Sequence, residues 1–591
     1  MTQNPPELTT ICGSVAQRSS RLLADFAQKQ AASLSSAVRD EMGIARAFME
    51  LYARMAQDPA LLTNTSMSMW ADYMRLWQST WLKMLGMHPP PVAEPAAGDA
   101  RFKDEDWSAN FVFDHIKQSY LIAARHIQQA VANVEGLAPE SEKKVAFFTR
   151  QYVDALAPSN FLVTNPQVLR ETLQSGGQNL VRGLNNLLGD LEKGGGQLRI
   201  SMTDENAFQL GRNVATTPGK VIHQTPLMQL IQYQSSTPQV HKRPLVIIPP
   251  WINKYYILDL REKNSFIRWA VAQGHSVFVV SWVNPDARLA QKGFDDYMRE
   301  GALAAFDAVE RATGEREVNA IGYCLGGTLL GATLGYLSSK NQNRVASATF
   351  FVSLLDFSEP GELGVFIDEA QVANLEKKMN QRGYLEGSEM AGTFNLLRAN
   401  DLVWSFVVNN YLLGKDPFPF DLLYWNADST RMPARMHSFY LRNMYIKNLL
   451  AQPGGIELDG VPIDLGAVRT PAYFISTVED HIAPWKTTYK GAKYLGGAAR
   501  GAVRFVLGGS GHIAGIVNPP AAKKYHYWVN EELPATPDAW FASATKVPGS
   551  WWEDWQAWIE RLNGGAKVPA RLPQNVLEDA PGSYATLRIA K

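Results

Sequence analysis

Cysteine is almost absent: there are two in 591 residues, Cys12 and Cys324. Cys12 stands in a polar N-terminal stretch, so no structural disulfide between the two is expected. Two cysteines without histidines at ligand spacing also make no zinc site. Such sparse usage fits a reducing cytoplasm. Charge of one sign is missing too. Lys plus Arg and Asp plus Glu both number 57, a formal net charge of zero. There is no basic excess of the kind that marks a nucleic-acid partner. No apolar run approaches the roughly 20 residues that span a bilayer. The opening M-T-Q-N-P-P-E lacks the basic start and apolar core of a signal peptide. These absences predict a protein that is soluble, or that attaches to an apolar surface without crossing it.

What is present is ordinary in bulk: 46% hydrophobic and 19% charged residues, enough for a large core. The length suggests two domains. Tryptophan is frequent, at 16. Core packing accounts for most tryptophans in a large protein, and amphipathic surfaces or an apolar ligand account for others.

Apolar residues recur at helical spacing over 20–87, from Leu22, Leu23 and Phe26 through Trp70, Leu76, Trp81 and Leu85. H-P-P-P-V-A-E-P-A-A-G-D (88–99) breaks the pattern as a linker. Helical spacing returns over 111–157, and glycines at 176–177 and 194–196 close a helical N-terminal domain, 1–200. From 201 to 591 the texture changes. P-L-V-I-I-P-P (244–250), S-V-F-V-V-S-W (276–282), V-N-A-I-G (318–322) and 345–354 read as buried strands, with helices over 264–273, 297–313 and 326–338 between them. Alternating strands and helices predict a parallel α/β sheet. Residues 356–465 interrupt it with a long, aromatic-rich, helical insertion, read as a cap over the active site. The alternation resumes at P-A-Y-F-I-S (471–476). There is no internal repeat.

G-Y-C-L-G-G (322–327) fits the nucleophile elbow G-x-S-x-G with cysteine as the nucleophile. The elbow is a sharp strand-to-helix turn, flanked by glycines because side chains would clash across it. The bland alternative is a buried cysteine packed as a small hydrophobe. The strand before and the helix after favour the elbow. The helix N-terminus suits a thiolate, and the backbone N–H of Leu325 is placed for an oxyanion. In this fold class an acid and then a histidine follow the nucleophile. I-S-T-V-E-D-H (475–481) offers Glu479 or Asp480, and Asp480, one residue further into the loop, is preferred. F-V-L-G-G-S-G-H (505–512) offers His512. His481 is a rival base, but adjacency to the acid makes it a poor partner for the elbow, so it is read as a supporting residue. Cysteine rather than serine points to thioester chemistry. Exchange of one thioester for another is nearly neutral in free energy and keeps the acyl group activated for transfer to an alcohol, with His512 as the base.

P-P-W-I-N-K-Y-Y-I-L-D-L (249–260), G-Y-C-L-G-G (322–327), L-L-D-F (354–357), F-D-L-L-Y-W-N-A-D-S-T (420–430), E-D-H-I-A-P-W (479–485) and G-H-I-A-G-I-V-N-P-P (511–520) closely resemble the polyhydroxyalkanoate synthases. By length and N-terminal region the chain resembles the class I type, which acts without a second subunit. The resemblance runs over most of the chain and shows no departure from the catalytic pattern. It implies an α/β-hydrolase fold with an inserted cap, preceded by an all-helical N-terminal domain. It implies a polymerase that adds (R)-3-hydroxyacyl units, such as 3-hydroxybutyryl, from CoA thioesters to a chain held on Cys324, with release of CoA. His512 would activate Cys324 and the monomer 3-hydroxyl, with Asp480 in support. Ile252, after two prolines that cannot donate, would supply the second oxyanion N–H. Trp425, and His481 beside the acid, would contact substrate. The resemblance further implies no metal or cofactor, a homodimer with the cap at the dimer contact, and cytoplasmic polyester granules that the N-terminal domain contacts, along with granule-associated proteins. A thioesterase or depolymerase on the same fold, and a granule-coating protein with S-W-W-E-D-W (550–555) against the polymer, are the competing readings. For that cluster and for the N-terminal helices core packing is favoured.

Overall fold

The structure is a computed structural model that describes residues 43–196, 198–496 and 502–587. Cys12 and the helical spacing at Leu22–Leu34 lie outside the described residues. The described residues form two compact units. One holds those up to Asp204 with Phe394–Phe418, and the other holds Glu205–Thr393 and everything from Pro419 on.

The first unit is helical: α1 (Ile44–Gln57), α2 (Pro59–Met84), α3 (Phe111–Ala132), α4 (Pro139–Ala155) and α5 (Gln178–Lys193), with shorter turns between them. Pro59 opens α2, where its missing N–H costs nothing, and Asp58 caps it by accepting from Leu61 N–H at 3.0 Å. Ala47 and Leu51 of α1 pack on Val131 and Val145. Leu76 of α2 packs on Ile122 and Ala93. Buried Asp72 is compensated by Arg125 at 2.6 Å, His126 at 2.7 Å and Arg75. The Pro-rich stretch is irregular, as expected, yet docked: Val92 and Ala93 donate their N–H groups to Gln118 Oε1 at 2.7 and 3.2 Å.

Phe394–Phe418 joins this unit because polar side chains of α5 hold its backbone. Asn179, Asn186 and Arg182 donate to the carbonyls of Leu412, Asn410 and Gly414 at 2.8, 3.0 and 3.2 Å. The Tyr411 hydroxyl donates to Asp190 at 2.7 Å. A β-carbon at Gly183 would stand 1.8 Å from the Tyr411 carbonyl oxygen, so this close approach needs glycine.

The second unit is built on an eleven-stranded sheet: β1 (Gly219–Gln224), β2 (Met228–Tyr233), β3 (Leu245–Ile248), β4 (Val277–Trp282), β5 (Val318–Tyr323), β6 (Val345–Phe351), β7 (Ala472–Thr477), β8 (Val503–Gly508), β9 (His526–Val529), β10 (Thr545–Pro548) and β11 (Glu578–Asp579). Their order is β10-β9-β8-β7-β6-β5-β3-β4-β2-β1-β11. The six strands β3 to β8 are parallel, as the sequence texture predicts. The flanks, β2, β1 and β11 on one side and β9 and β10 on the other, are antiparallel and were not read from sequence. Helix α6 (Leu325–Ser339) follows β5, and α7 (Trp551–Asn563) precedes β11. Alternate residues of the central strands feed two cores: Val246, Ile248, Phe278 and Val280 on one face, Leu245, Ile247, Val277 and Val279 on the other. Burial on both faces explains the unbroken apolar runs, at about 1.5–3 kcal/mol per side chain. The Trp551-Trp552-Trp555 cluster is fully buried in the second core, which is the packing role favoured from sequence.

Three buried imidazoles predict acid sensitivity. Burial pushes His275 and His437 down to about 4 and lowers His241, whose ring lies 4.7 Å from that of His275. The unfolded chain takes up these protons from pH 6.5 downward, whereas native His275 and His437 resist until about pH 4. Stability therefore falls as pH drops through that window, by up to about 3 kcal/mol for His275 alone. A melting-temperature series from pH 7 to 4 should show the loss, and His275→Gln should flatten it. A flat parent series would remove these histidines from the stability balance.

Candidate active site

The site grows from the C-terminal ends of β5, β7 and β8, where an open α/β sheet gathers its reactive groups. β5 ends at Tyr323 and α6 begins at Leu325. Cys324 lies between them at φ 52° and ψ −119°, a left-handed conformation costly for a residue with a β-carbon. The backbone is held there by Cys324 N–H donating to the Phe351 carbonyl at 2.8 Å. The flanking glycines are required by close approach. A β-carbon at Gly322 would meet Gly327 Cα at 2.4 Å, and one at Gly326 would meet the Ile248 carbonyl oxygen at 2.1 Å. The thiol is half-buried at the positive end of α6. The Leu325 N–H, in the first turn of that helix, has no acceptor among the described residues.

Asp480 stands in the turn after β7, buried, while neighbouring Glu479 is exposed. Its Oδ1 accepts the N–H groups of Ile482 and Ala483 at 2.9 and 2.8 Å, and its Oδ2 lies 2.7 Å from His512 Nδ1. His512 is buried in the loop after β8, close enough to Cys324 for the sulfur to act on its charge. Burial works against its charge, but Asp480 and Cys324 outweigh that and push the imidazole up to about 10. The loop is braced from behind. Trp551 and Trp552 donate their indole N–H groups to the carbonyls of Gly515 and Ile516, both at 2.9 Å. The Tyr323 hydroxyl reaches the His512 carbonyl at 3.5 Å. Cys324, Asp480 and His512, far apart in the chain, are thus brought together, and His512 is the ring that Asp480 bonds and whose charge Cys324 supports.

Ile252 lies in the turn after β3, half-buried, and its N–H has no acceptor among the described residues. That turn is fastened to the inserted region: Thr430 N–H donates to the Ile252 carbonyl at 2.9 Å, and Asn253 bridges Ser429. Trp425 is buried in the second core, with its indole N–H given to the Lys254 carbonyl at 2.7 Å, so its ring packs and its one donor is committed. His481 directly follows Asp480, and its carbonyl faces Gly361.

Two tyrosines from the insertion reach the site and were not read from sequence. Burial raises the Tyr440 phenol, with Tyr445 and Cys324 adding to the shift; burial and then Cys324 raise the Tyr445 phenol. The rings pack edge to face at 5.5 Å, and the Tyr440 hydroxyl interacts with Thr328 in the first turn of α6. Nothing in the local spacing of F-Y-L-R-N-M-Y-I separates these two from the many other aromatics of the insertion. Among the described residues no group of three or more His, Cys, Asp or Glu is placed to hold a metal ion.

A buried acid bonded to a histidine, with a half-buried thiol nearby at a helix N-terminus whose Leu325 N–H is unengaged, is an arrangement that can carry out acyl transfer. Comparison with known proteins identifies the family. Residues 98–270 match the family described as the N-terminus of poly-beta-hydroxybutyrate polymerase, and residues 252–519 match the alpha/beta hydrolase fold. The chain is 49% identical to the poly(3-hydroxyalkanoate) polymerase subunit PhaC of Rhizobium meliloti, over 90% of this chain and 86% of that one. It is 49% identical to the poly(3-hydroxyalkanoate) polymerase of Methylorubrum extorquens, over 90% and 88%. It is 40% identical to the poly(3-hydroxyalkanoate) polymerase subunit PhaC of Cupriavidus necator, over 89% and 88%.

Proposed function

Because the chain belongs to the poly(3-hydroxyalkanoate) polymerases, acyltransferases built on an α/β-hydrolase fold, we propose that it grows a polyester on Cys324 from (R)-3-hydroxyacyl-CoA, with 3-hydroxybutyryl as the monomer. The observation that carries the reading is Cys324 at φ 52° on the strand-to-helix turn, near a His512 that Asp480 bonds. His512 holds the thiol proton, and the sulfur attacks the thioester carbonyl. The N–H groups of Leu325 and Ile252 stabilise the oxyanion. As the intermediate collapses, the C–S bond to CoA breaks, and the departing sulfur takes the proton from His512. Acylation removes the charge on the Cys324 sulfur, one of the two groups that raise His512. The imidazole is thereby left neutral and free to take the proton of the next monomer's 3-hydroxyl, whose oxygen attacks the acyl-cysteine; the C–S bond breaks, and the freed sulfur takes the lengthened chain from its CoA thioester in the next round. The chemistry needs no metal or prosthetic group, and CoA enters as part of the substrate.

The test supplies (R)-3-hydroxybutyryl-CoA and follows thiol release and acyl product. CoA with insoluble polyester is expected. CoA with free 3-hydroxybutyrate would make the protein a thioesterase, and no CoA release would sink the reading.

The same reading places the enzyme on cytoplasmic polyester granules as a homodimer, alongside granule-associated proteins. Supporting the granule contact, Met67, Trp70, Met74, Trp77, Trp81 and Met84 recur every three or four residues on α2 and are all exposed, the three tryptophans at 62–66%. So large an apolar stripe marks a contact surface. The two basic residues of α2 itself are already paired, Arg75 with Asp72 and Lys83 with Asp114, which does not favour an anionic surface. A neutral polyester suits it. No helix among the described residues is long and apolar enough to cross a membrane. Exchanging Trp70, Trp77 and Trp81 together for serine should move the enzyme from the granule fraction to the supernatant while CoA release stays within about twofold, because exposed side chains contribute little to folding. Full retention on granules would exclude the stripe.

A further inference from the structure

Lys254 stands two residues after Ile252, and its side chain is 2% exposed. A buried ammonium is costly unless its donors are satisfied. Here Nζ donates to the carbonyls of Ala585 and Leu587 at 2.6 and 2.7 Å and lies 3.6 Å from Asp428 Oδ1. Asp428 Oδ2 in turn accepts the Tyr256 hydroxyl at 2.8 Å. The Lys254 carbonyl takes the Trp425 indole, and Asn253 Nδ2 donates to the carbonyls of Trp425 and Asn426 at 3.4 and 3.3 Å. The turn that carries Ile252 is therefore clamped on one side by residues 425–430 and on the other by residues 585–587. Lys254 is the residue where the two clamps meet.

We propose that Lys254 is a positioning residue for the oxyanion-stabilising turn, and that Ser583–Leu587 acts on catalysis through it. The proposal rests on the reading of Ile252 as an oxyanion donor. The physical ground is that such a donor works only when held to within about half an ångström of its productive place. The turn has no regular hydrogen-bond ladder of its own, so its position is set by what grips it. Hydrogen bonds from Nζ draw residues 585–587, distant in sequence, onto the turn that carries Ile252. The consequence lies in the transition state: substrate binding should be spared while the chemical step slows.

The experiment uses the full chain with Lys254→Met, and separately a chain ending at Gly582, each assayed on (R)-3-hydroxybutyryl-CoA with active sites counted by stoichiometric acylation. Expected is a kcat per active site about 10- to 100-fold lower, approaching the loss of one oxyanion donor, with KM within twofold. Adding a peptide of residues 583–591 to the shortened chain should recover most of kcat. Unchanged kcat per active site in both variants, or a loss confined to KM, would overturn the proposal. If Lys254→Met fails to fold, the shortened chain and its peptide decide. Replacing the Ile252 amide by an ester, through incorporation of the α-hydroxy acid, tests the underlying reading separately. Full activity in that ester would remove Ile252 as a donor, and the role of Lys254 would fall with it whatever Lys254→Met had done.

Discussion

Replacing Cys324 with alanine is expected to lower CoA release from (R)-3-hydroxybutyryl-CoA by about 10⁵- to 10⁶-fold, the scale seen when a covalent nucleophile is removed, and to abolish the acyl-enzyme seen by mass spectrometry. The fold should survive. Alanine keeps the β-carbon, so the strain of the φ 52° position is unchanged, and the half-buried thiol leaves little void behind it. A melting temperature within a few degrees of the parent would separate loss of chemistry from loss of structure. Cys324→Ser sharpens the test. Serine has nearly the same shape, but it would hold the acyl group as an oxyester and lose the activation needed for the second transfer. At most a slow single acylation without polymer is expected. Appreciable polymer from either variant would remove Cys324 from the mechanism.

The elbow was legible because everything it needs is local. The strand, the glycines, the cysteine and the helix lie within one short stretch, and each glycine answers to a close approach in that turn. Asp480 and His512 were legible because each follows a buried parallel strand whose apolar run shows in the sequence. The antiparallel flanks were hidden by composition. Strand β2 is fully buried, yet it carries Gln229 and Gln232, whose burial is tolerable only because distant groups bond them, Ser583 and the Arg571 carbonyl among them. The grouping of Phe394–Phe418 with the helical unit was hidden for a similar reason. Its partners are backbone carbonyls gripped by Asn179, Arg182 and Asn186, and a carbonyl has no signature in sequence. Tyr440 and Tyr445 belong to the same class, since only the folded chain tells them apart from the other aromatics of the insertion.

Asp480→Asn should cost about 10³- to 10⁴-fold in kcat, and the reason is a matter of tautomers. In the native site Oδ1 takes the N–H groups of Ile482 and Ala483, and Oδ2 faces His512 Nδ1. An asparagine keeps its carbonyl oxygen on the two backbone donors, because an amide NH₂ there would meet hydrogen against hydrogen. The NH₂ is then forced toward His512. Nδ1 must accept, the ring proton moves to Nε2, and the nitrogen that should receive a proton from Cys324 already carries one. The charge balance shifts as well. Asp480 heads the groups that hold His512 up against its own burial, and without that carboxylate the imidazolium should deprotonate at a lower pH. Nitrogen-15 histidine NMR should therefore find His512 protonated on both nitrogens at pH 8 in the parent and on one in the variant. A variant within tenfold of the parent, or one whose His512 still carries both protons at pH 8, would mean that Asp480 neither sets the tautomer nor supports the charge, and the base would have to be sought elsewhere.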